Sequence, residues 1–159
     1  MTVVEALQRA LAAEHQAVYL YEYAGGRAAS YAGKGLAKRL YGAWSDHQEL
    51  RTWLETTVSG LGAHPVAAEL VYPTPNVTTV QKAKSVAKRA ERDCLIAWLE
   101  VVAAADPGSE IRSHALTCYS QAGLRGVSFG ARPQALPGLG PDRTVAARVS
   151  QVGPSPASS

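Results

Sequence analysis

An apolar stripe near the start of the chain constrains the fold more than any other feature. The stripe runs from Val4 to Tyr21, and its apolar residues lie three, four or seven positions apart, as in a helix that buries one face. Glu14 lies in the middle of this stripe. A buried carboxylate is costly unless it meets a cation, a metal ion or hydrogen-bond donors. The fold is therefore expected to place such a group opposite Glu14.

A second helix and a crossover follow this stripe. Apolar residues at the same spacing predict a helix from about Leu36 to Leu61, and two glycines mark its end. His47 lies on the apolar stripe of this helix, as Glu14 does on the first. Residues 63–76 contain three prolines and predict an extended crossover, which would let a third helix run parallel to the second.

Two further helices complete the pattern. A capping box beginning at Thr78 predicts the start of a third helix that reaches Ala105, with Glu91 on the edge of its apolar stripe. Ser109 is the predicted cap of a fourth helix over Glu110–Phe129. The sequence therefore predicts an all-α four-helix bundle with a long crossover between helices two and three.

Size and composition agree with one bundle. The 159 residues suffice for about one domain, which we place at residues 1–140, followed by a flexible Pro/Gly/Ser-rich tail at 141–159. A net charge of +3 is too small an excess to indicate a nucleic acid or a membrane surface. Glu5 and Arg9 interrupt any apolar run at the start, and two cysteines are too few for a disulfide framework. We therefore expect a cytoplasmic protein.

The local sequence also resembles a known family. The segments AAEHQAVY at 12–19, HQELR at 47–51 and ALPGL at 135–139, with the proline-rich crossover, are similar to small ferritin-like proteins of unassigned activity that are common in actinobacteria. This resemblance covers about residues 3–140. It implies a ferritin-like four-helix bundle, which is a statement about fold more than about function.

Metal-binding ferritin-like proteins hold two ions with Glu, Glu-x-x-His, Glu and Glu-x-x-His on their four helices. The chain offers Glu14, His47, Glu91 and His114 in that order. At about 1.5 Å per residue, His47 is offset from Glu14 by about 7 Å, whereas His114 is offset from Glu91 by about 13 Å. The fourth helix instead carries Arg125 near the level of Glu91. The sequence therefore predicts a degenerate di-metal site.

Two interpretations of these residues remain. In the first, Glu14, His47, Glu91 and Arg125 form a buried polar cluster without a cofactor, in a non-catalytic protein that acts through ligand or protein contacts. In the alternative, Glu14, His47 and Glu91 hold iron or manganese in a metal-binding protein or a metal-dependent oxidoreductase. Whether the protein is an enzyme is left open.

The other chemistry-bearing residues favour simpler roles. The third helix has a basic face that consists of Lys84, Lys88, Arg89 and Arg92. Such a face is usually solvated, so a nucleic-acid partner is not expected. The two cysteines, Cys94 and Cys118, are predicted to be buried, unreactive thiols. We expect a homodimer formed through exposed apolar helix faces, with an unknown protein or small-molecule partner and no membrane partner.

Overall fold

The helices form with ends close to those predicted from the apolar spacing. The computed structural model describes residues 1–28 and 33–134, and these residues form four α-helices and no β-strand. The helices are α1 (Val3–Ala28), α2 (Lys34–Gly60), α3 (Val80–Ala104) and α4 (Glu110–Ser128). The protein is an all-α four-helix bundle, as predicted. The tail predicted at 141–159 lies outside the described residues.

Side-chain caps set the start of two helices. The Thr79 hydroxyl accepts a hydrogen bond from the backbone N–H of Lys82 at 3.2 Å, so the cap of α3 is Thr79. The prediction of Thr78 was wrong by one position, and its hydroxyl instead accepts from the Lys82 ammonium. The Ser109 hydroxyl accepts from the backbone N–H of Arg112 at 3.2 Å and caps α4 as predicted.

The helices pack in a fixed order around the core. α1 packs against α2 and α3, and α3 packs against α4. On α2, Asp46 lies beside Arg125 of α4, and Trp53 stacks on His114 of α4. Since residue numbers rise along α2 as they fall along α4, these two helices run antiparallel. None of the described helices is long and apolar enough to cross a membrane.

The crossover between α2 and α3 lies along α1. The Gln8 amide donates to the carbonyl of His64 at 2.6 Å and accepts from the backbone N–H of Val66 at 2.8 Å. His15 Nε2 lies 3.0 Å from the carbonyl oxygen of Val66. His15 therefore holds the crossover, while its neighbour Glu14 belongs to the centre of the bundle.

Besides His15, which contacts the crossover, three polar or charged residues are buried in the core. Glu14 and His47 have no exposed surface, and Glu91 is 1% exposed. Glu91, predicted on the edge of its apolar stripe, is buried because α3 packs against both α1 and α4, which widens the buried arc of this helix. The fold thus brings two carboxylates and one imidazole into its interior.

Candidate functional site

Glu14 of α1 meets two hydrogen-bond donors on other helices. His47 Nδ1 of α2 lies 2.6 Å from Glu14 Oε2, and the Trp98 indole N–H of α3 donates to Glu14 Oε1 at 2.7 Å. All three side chains are fully buried. Each oxygen of the carboxylate therefore has a donor, which answers the question that the apolar stripe posed.

Glu91 of α3 is held by donors from the other three helices. The Tyr21 hydroxyl of α1 donates to Oε1 at 2.5 Å, and His47 Nε2 lies 3.1 Å from the same oxygen. Arg125 Nε of α4 lies 3.0 Å from Oε1 and 3.1 Å from Oε2. We call these six residues, Glu14, Tyr21, His47, Glu91, Trp98 and Arg125, the polar centre.

His47 bridges the two carboxylates. Since both of its ring nitrogens face carboxylate oxygens, the arrangement suits the imidazolium, which carries a proton on each nitrogen. Burial opposes this charge, but the attraction of Glu14 and Glu91 outweighs burial and raises the pKa of His47 to about 9. The Tyr21 ring stacks on the imidazole with ring centroids 5.1 Å apart. His47 is therefore a cation at neutral pH.

Arg125 supplies the second positive charge. Burial disfavours the charged guanidinium, but Glu91 outweighs this and raises the pKa of Arg125 further. Burial also opposes ionisation of Glu91, yet His47 and Arg125 together hold the pKa of Glu91 below its usual value. The carboxyl groups of Glu14 and Glu91 therefore face two basic side chains, His47 and Arg125, across the polar centre.

Three buried residues in and beside the polar centre lie close enough together to share a metal ion. Ligand atoms of Glu14, His47 and Cys94 lie within 4.8 Å of one another. A metal would need the lone pair of a neutral imidazole and a thiolate. His47 instead directs both nitrogens at carboxylates, and burial raises the pKa of Cys94 well above its usual value. An ion could bind here only by displacing these protons.

A second ion has no place beside Glu91. In a di-metal site, carboxylates bridge the two ions or bind one of them as terminal ligands, and the metal ions balance the negative charge of the carboxylates. Here the guanidinium of Arg125 contacts both oxygens of Glu91. The described residues therefore do not fit a di-metal centre.

His114 lies outside the polar centre. Its ring stacks on Trp53 of α2 with centroids 3.9 Å apart and meets Trp98 edge-on at 5.9 Å. Burial lowers the pKa of His114. The fourth residue of the acid–histidine order is thus an aromatic packing residue in this structure.

Most of the chain matches one known family. Residues 6–141 match the family described as Domain of unknown function (DUF4439). The chain belongs to this family. The crystal structure of a conserved hypothetical protein from Mycobacterium tuberculosis is similar, with a TM-score of 0.71 and 25% sequence identity over 79% of this chain and 92% of that chain. No curated protein matches the sequence.

Sequence reasoning missed two residues of the polar centre of this DUF4439 chain, Tyr21 and Trp98, and the neighbouring thiol of Cys94. An apolar stripe does not distinguish a buried donor from a buried hydrocarbon. One signal was present. Tyr21 follows Glu14 by seven positions and Trp98 follows Glu91 by seven, so each helix places a carboxylate and an aromatic donor two turns apart on one face.

Proposed function

We propose that this DUF4439 protein is a ferritin-like bundle whose di-metal site has degenerated, and that it is non-catalytic and acts through ligand or protein contacts. One observation carries the proposal. Arg125 places a permanent positive charge on both oxygens of Glu91, the carboxylate that a second metal ion would require.

The chemistry of the polar centre supports a structural role for it. A guanidinium cannot lose its proton at physiological pH, and the carboxyl groups of Glu14 and Glu91 accept hydrogen bonds from His47 and Arg125. A general acid or base needs a pKa near the working pH and access to a substrate. Glu14 and His47 are fully buried between the helices, and Glu91 is 1% exposed. Its residues therefore hold the helices together.

The alternative candidate is a one-metal protein that binds iron or manganese, or a metal-dependent oxidoreductase. The expected ligands are Glu14, His47 and Glu91. The observation that favours this candidate is the close approach of Glu14, His47 and Cys94, whose ligand atoms lie within 4.8 Å. Binding would require His47 and Cys94 to lose protons, so it should be weak at neutral pH and strengthen as pH rises.

The metal content of the purified full-length protein separates the two candidates. Cells are grown with added iron and manganese, and elemental analysis is run on wild type, Glu14→Ala and His47→Ala, with circular dichroism to verify that each remains helical. We expect metal at background levels in all three proteins. About one ion per chain in the wild type, lost in both variants, would reverse the order of the two candidates.

A further inference from the structure

An open groove runs along α3 and α4, away from Glu14 and His47. Its volume is about 760 Å³, and residues 131–134, which follow α4, form part of its lining. Pockets that hold small molecules commonly have about 300–1,000 Å³. On α3 the groove extends from Ser85 to Leu95, about 15 Å at 1.5 Å per residue. Its size is therefore that of a small-molecule site.

The floor and one wall of the groove are apolar. Three small residues of α4, Ala122, Gly123 and Gly126, line the groove, and Leu95 of α3 lines it as well. Leu124 of α4 lines it too, although its side chain is 72% exposed. An exposed leucine in a concave surface favours an apolar occupant, because covering it removes hydrocarbon from water.

The rim of the groove is cationic. The cations that line it are Lys88, Arg89, Arg92 and Arg132. Asp93, next to the rim, pairs with Arg92 at 3.0 Å and with Arg89 at 3.7 Å. Among the described lining residues the one carboxylate is Glu91, whose charge His47 and Arg125 already balance. The rim therefore has a net positive charge over an apolar floor.

We infer that this groove binds a small amphipathic carboxylate, a molecule with one apolar chain or ring and one carboxylate group. The apolar part lies along Leu95 and Leu124, and the carboxylate meets the guanidinium and ammonium groups of Arg132 and Lys88, which suit it by charge and hydrogen bonding. This inference rests on the proposed function, since it names the ligand class through which a non-catalytic bundle would act.

The cationic rim argues against a second copy of this chain as the occupant, and the apolar floor argues against a nucleic acid. In a symmetric dimer each protomer presents the same patch to the other, so two copies joined through this groove would bring their cationic rims together. A nucleic acid would satisfy the rim but would leave the apolar floor without a hydrocarbon partner. An amphipathic carboxylate satisfies both parts of the groove at once.

The test is calorimetric titration of the full-length protein with dodecanoate below its micelle concentration. Two further titrants separate the two parts of the site: acetate, which has the carboxylate alone, and dodecyltrimethylammonium, which has the chain with the opposite charge. We expect saturable binding of one dodecanoate per chain, no detectable binding of acetate, and at least tenfold weaker binding of dodecyltrimethylammonium. Equal affinity for both long-chain titrants would overturn the inference.

Paired variants locate the binding to the groove. Leu124→Glu places a carboxylate in the groove, whereas Leu116→Glu places one two turns earlier on α4, outside the lining, at a side chain that is 46% exposed. Lys88→Glu reverses a charge on the rim, and its control, Lys38→Glu, does so at an exposed residue of α2. We expect about five- to tenfold weaker binding in Lys88→Glu and Leu124→Glu, and less than a twofold change in both controls.

Other outcomes would overturn the ligand, the location or the proposed function separately. Absence of saturable dodecanoate binding at millimolar concentration, in protein that contains no metal, overturns the groove assignment and leaves the proposed function standing. If a variant and its control lose the same amount of affinity for dodecanoate, the assignment of the binding site to the groove is overturned. A dimer that Leu124→Glu dissociates, without dodecanoate binding, assigns the groove to a second copy. Stoichiometric metal in the same preparation refutes the proposed function whatever the titration shows.

Discussion

A double-mutant cycle on Glu91 and Arg125 tests whether the guanidinium stabilises a buried carboxylate. Glu91→Gln removes the charge and keeps the shape, and Arg125→Met removes the cation while keeping much of the side-chain length. Glu91 is 1% exposed, and Arg125 is 15% exposed. Removing one partner of a buried ion pair leaves the other uncompensated, which typically costs about 3–5 kcal/mol.

The structure indicates a cost near that range for each single variant. Glu91→Gln removes the negative charge that faces His47 and Arg125 and replaces one acceptor oxygen with an amide NH2 group. Arg125→Met leaves Glu91 with Tyr21 and His47 alone. Small domains have about 5–15 kcal/mol of total stability, so either change should remove a large part of it. In the double variant no charge of this pair is stranded. We therefore expect it to lose about 1–3 kcal/mol less than the sum of the two single changes.

Urea unfolding followed by far-ultraviolet circular dichroism measures these free energies, provided that the dependence of the unfolding free energy on urea concentration is the same in every variant. The matched control is Asp46→Asn, which removes a 57% exposed carboxylate 3.7 Å from Arg125 Nη1. An exposed pair of this kind is worth at most about 1 kcal/mol. The reasoning is refuted if Arg125→Met costs no more than Asp46→Asn, or if the two single changes add in the double variant.

Three further predictions concern the polar centre and the thiols. Glu14→Ala should lower the melting temperature by roughly 10 °C, because it removes a carboxylate that pairs with His47. The control Glu22→Ala, at an exposed position of α1, should change the melting temperature little, and equal shifts in the two variants would show that Glu14 does not stabilise the fold. Because the pKa of His47 is raised to about 9, protonated His47 stabilises the fold fully below about pH 6.5, and this stabilisation is lost as pH rises through 9. The unfolding free energy of wild type in urea, relative to that of His47→Gln, should therefore fall by on the order of 3 kcal/mol over this range. A difference that stays flat over this range would contradict the assignment of an imidazolium. Burial raises the pKa of both Cys94 and Cys118, so iodoacetamide should modify neither thiol in the folded protein and both in urea, as mass spectrometry can measure.

The helices were predictable because the spacing of apolar residues is a local signal. The predicted end of α3 at Ala105 and of α4 at Phe129 each differ by one residue from the structure. The start of α3 was harder, because Thr78 and Thr79 are both good caps. The choice between two adjacent threonines depends on which hydroxyl meets the backbone N–H of Lys82, and sequence spacing does not determine that.

The site was less predictable because it depends on side-chain reach and on contacts between helices. The height argument placed Arg125 near Glu91, and the structure shows the two in contact. It also offset His47 from Glu14 by more than a helical turn, a distance that the side chains can still span, and the imidazole lies 2.6 Å from Glu14. The role of Trp98 could not be read from its own helix, since its indole N–H acts on a carboxylate of α1.

The hydrogen bonds between α1 and α3 also fix how these two helices are aligned. Glu14 of α1 accepts from Trp98 of α3, and Glu91 of α3 accepts from Tyr21 of α1, so two crossed pairs join antiparallel helices. The members on each helix are seven residues apart, about 10.5 Å along the axis. A slip of one turn, about 5.4 Å, would break both pairs and deprive each carboxylate of one buried donor, whereas alanines and leucines tolerate such a slip. The buried charges therefore select one alignment of α1 and α3. Because Arg125 joins α4 to the same Glu91, this alignment also holds α4 beside α3 and so preserves the groove between them.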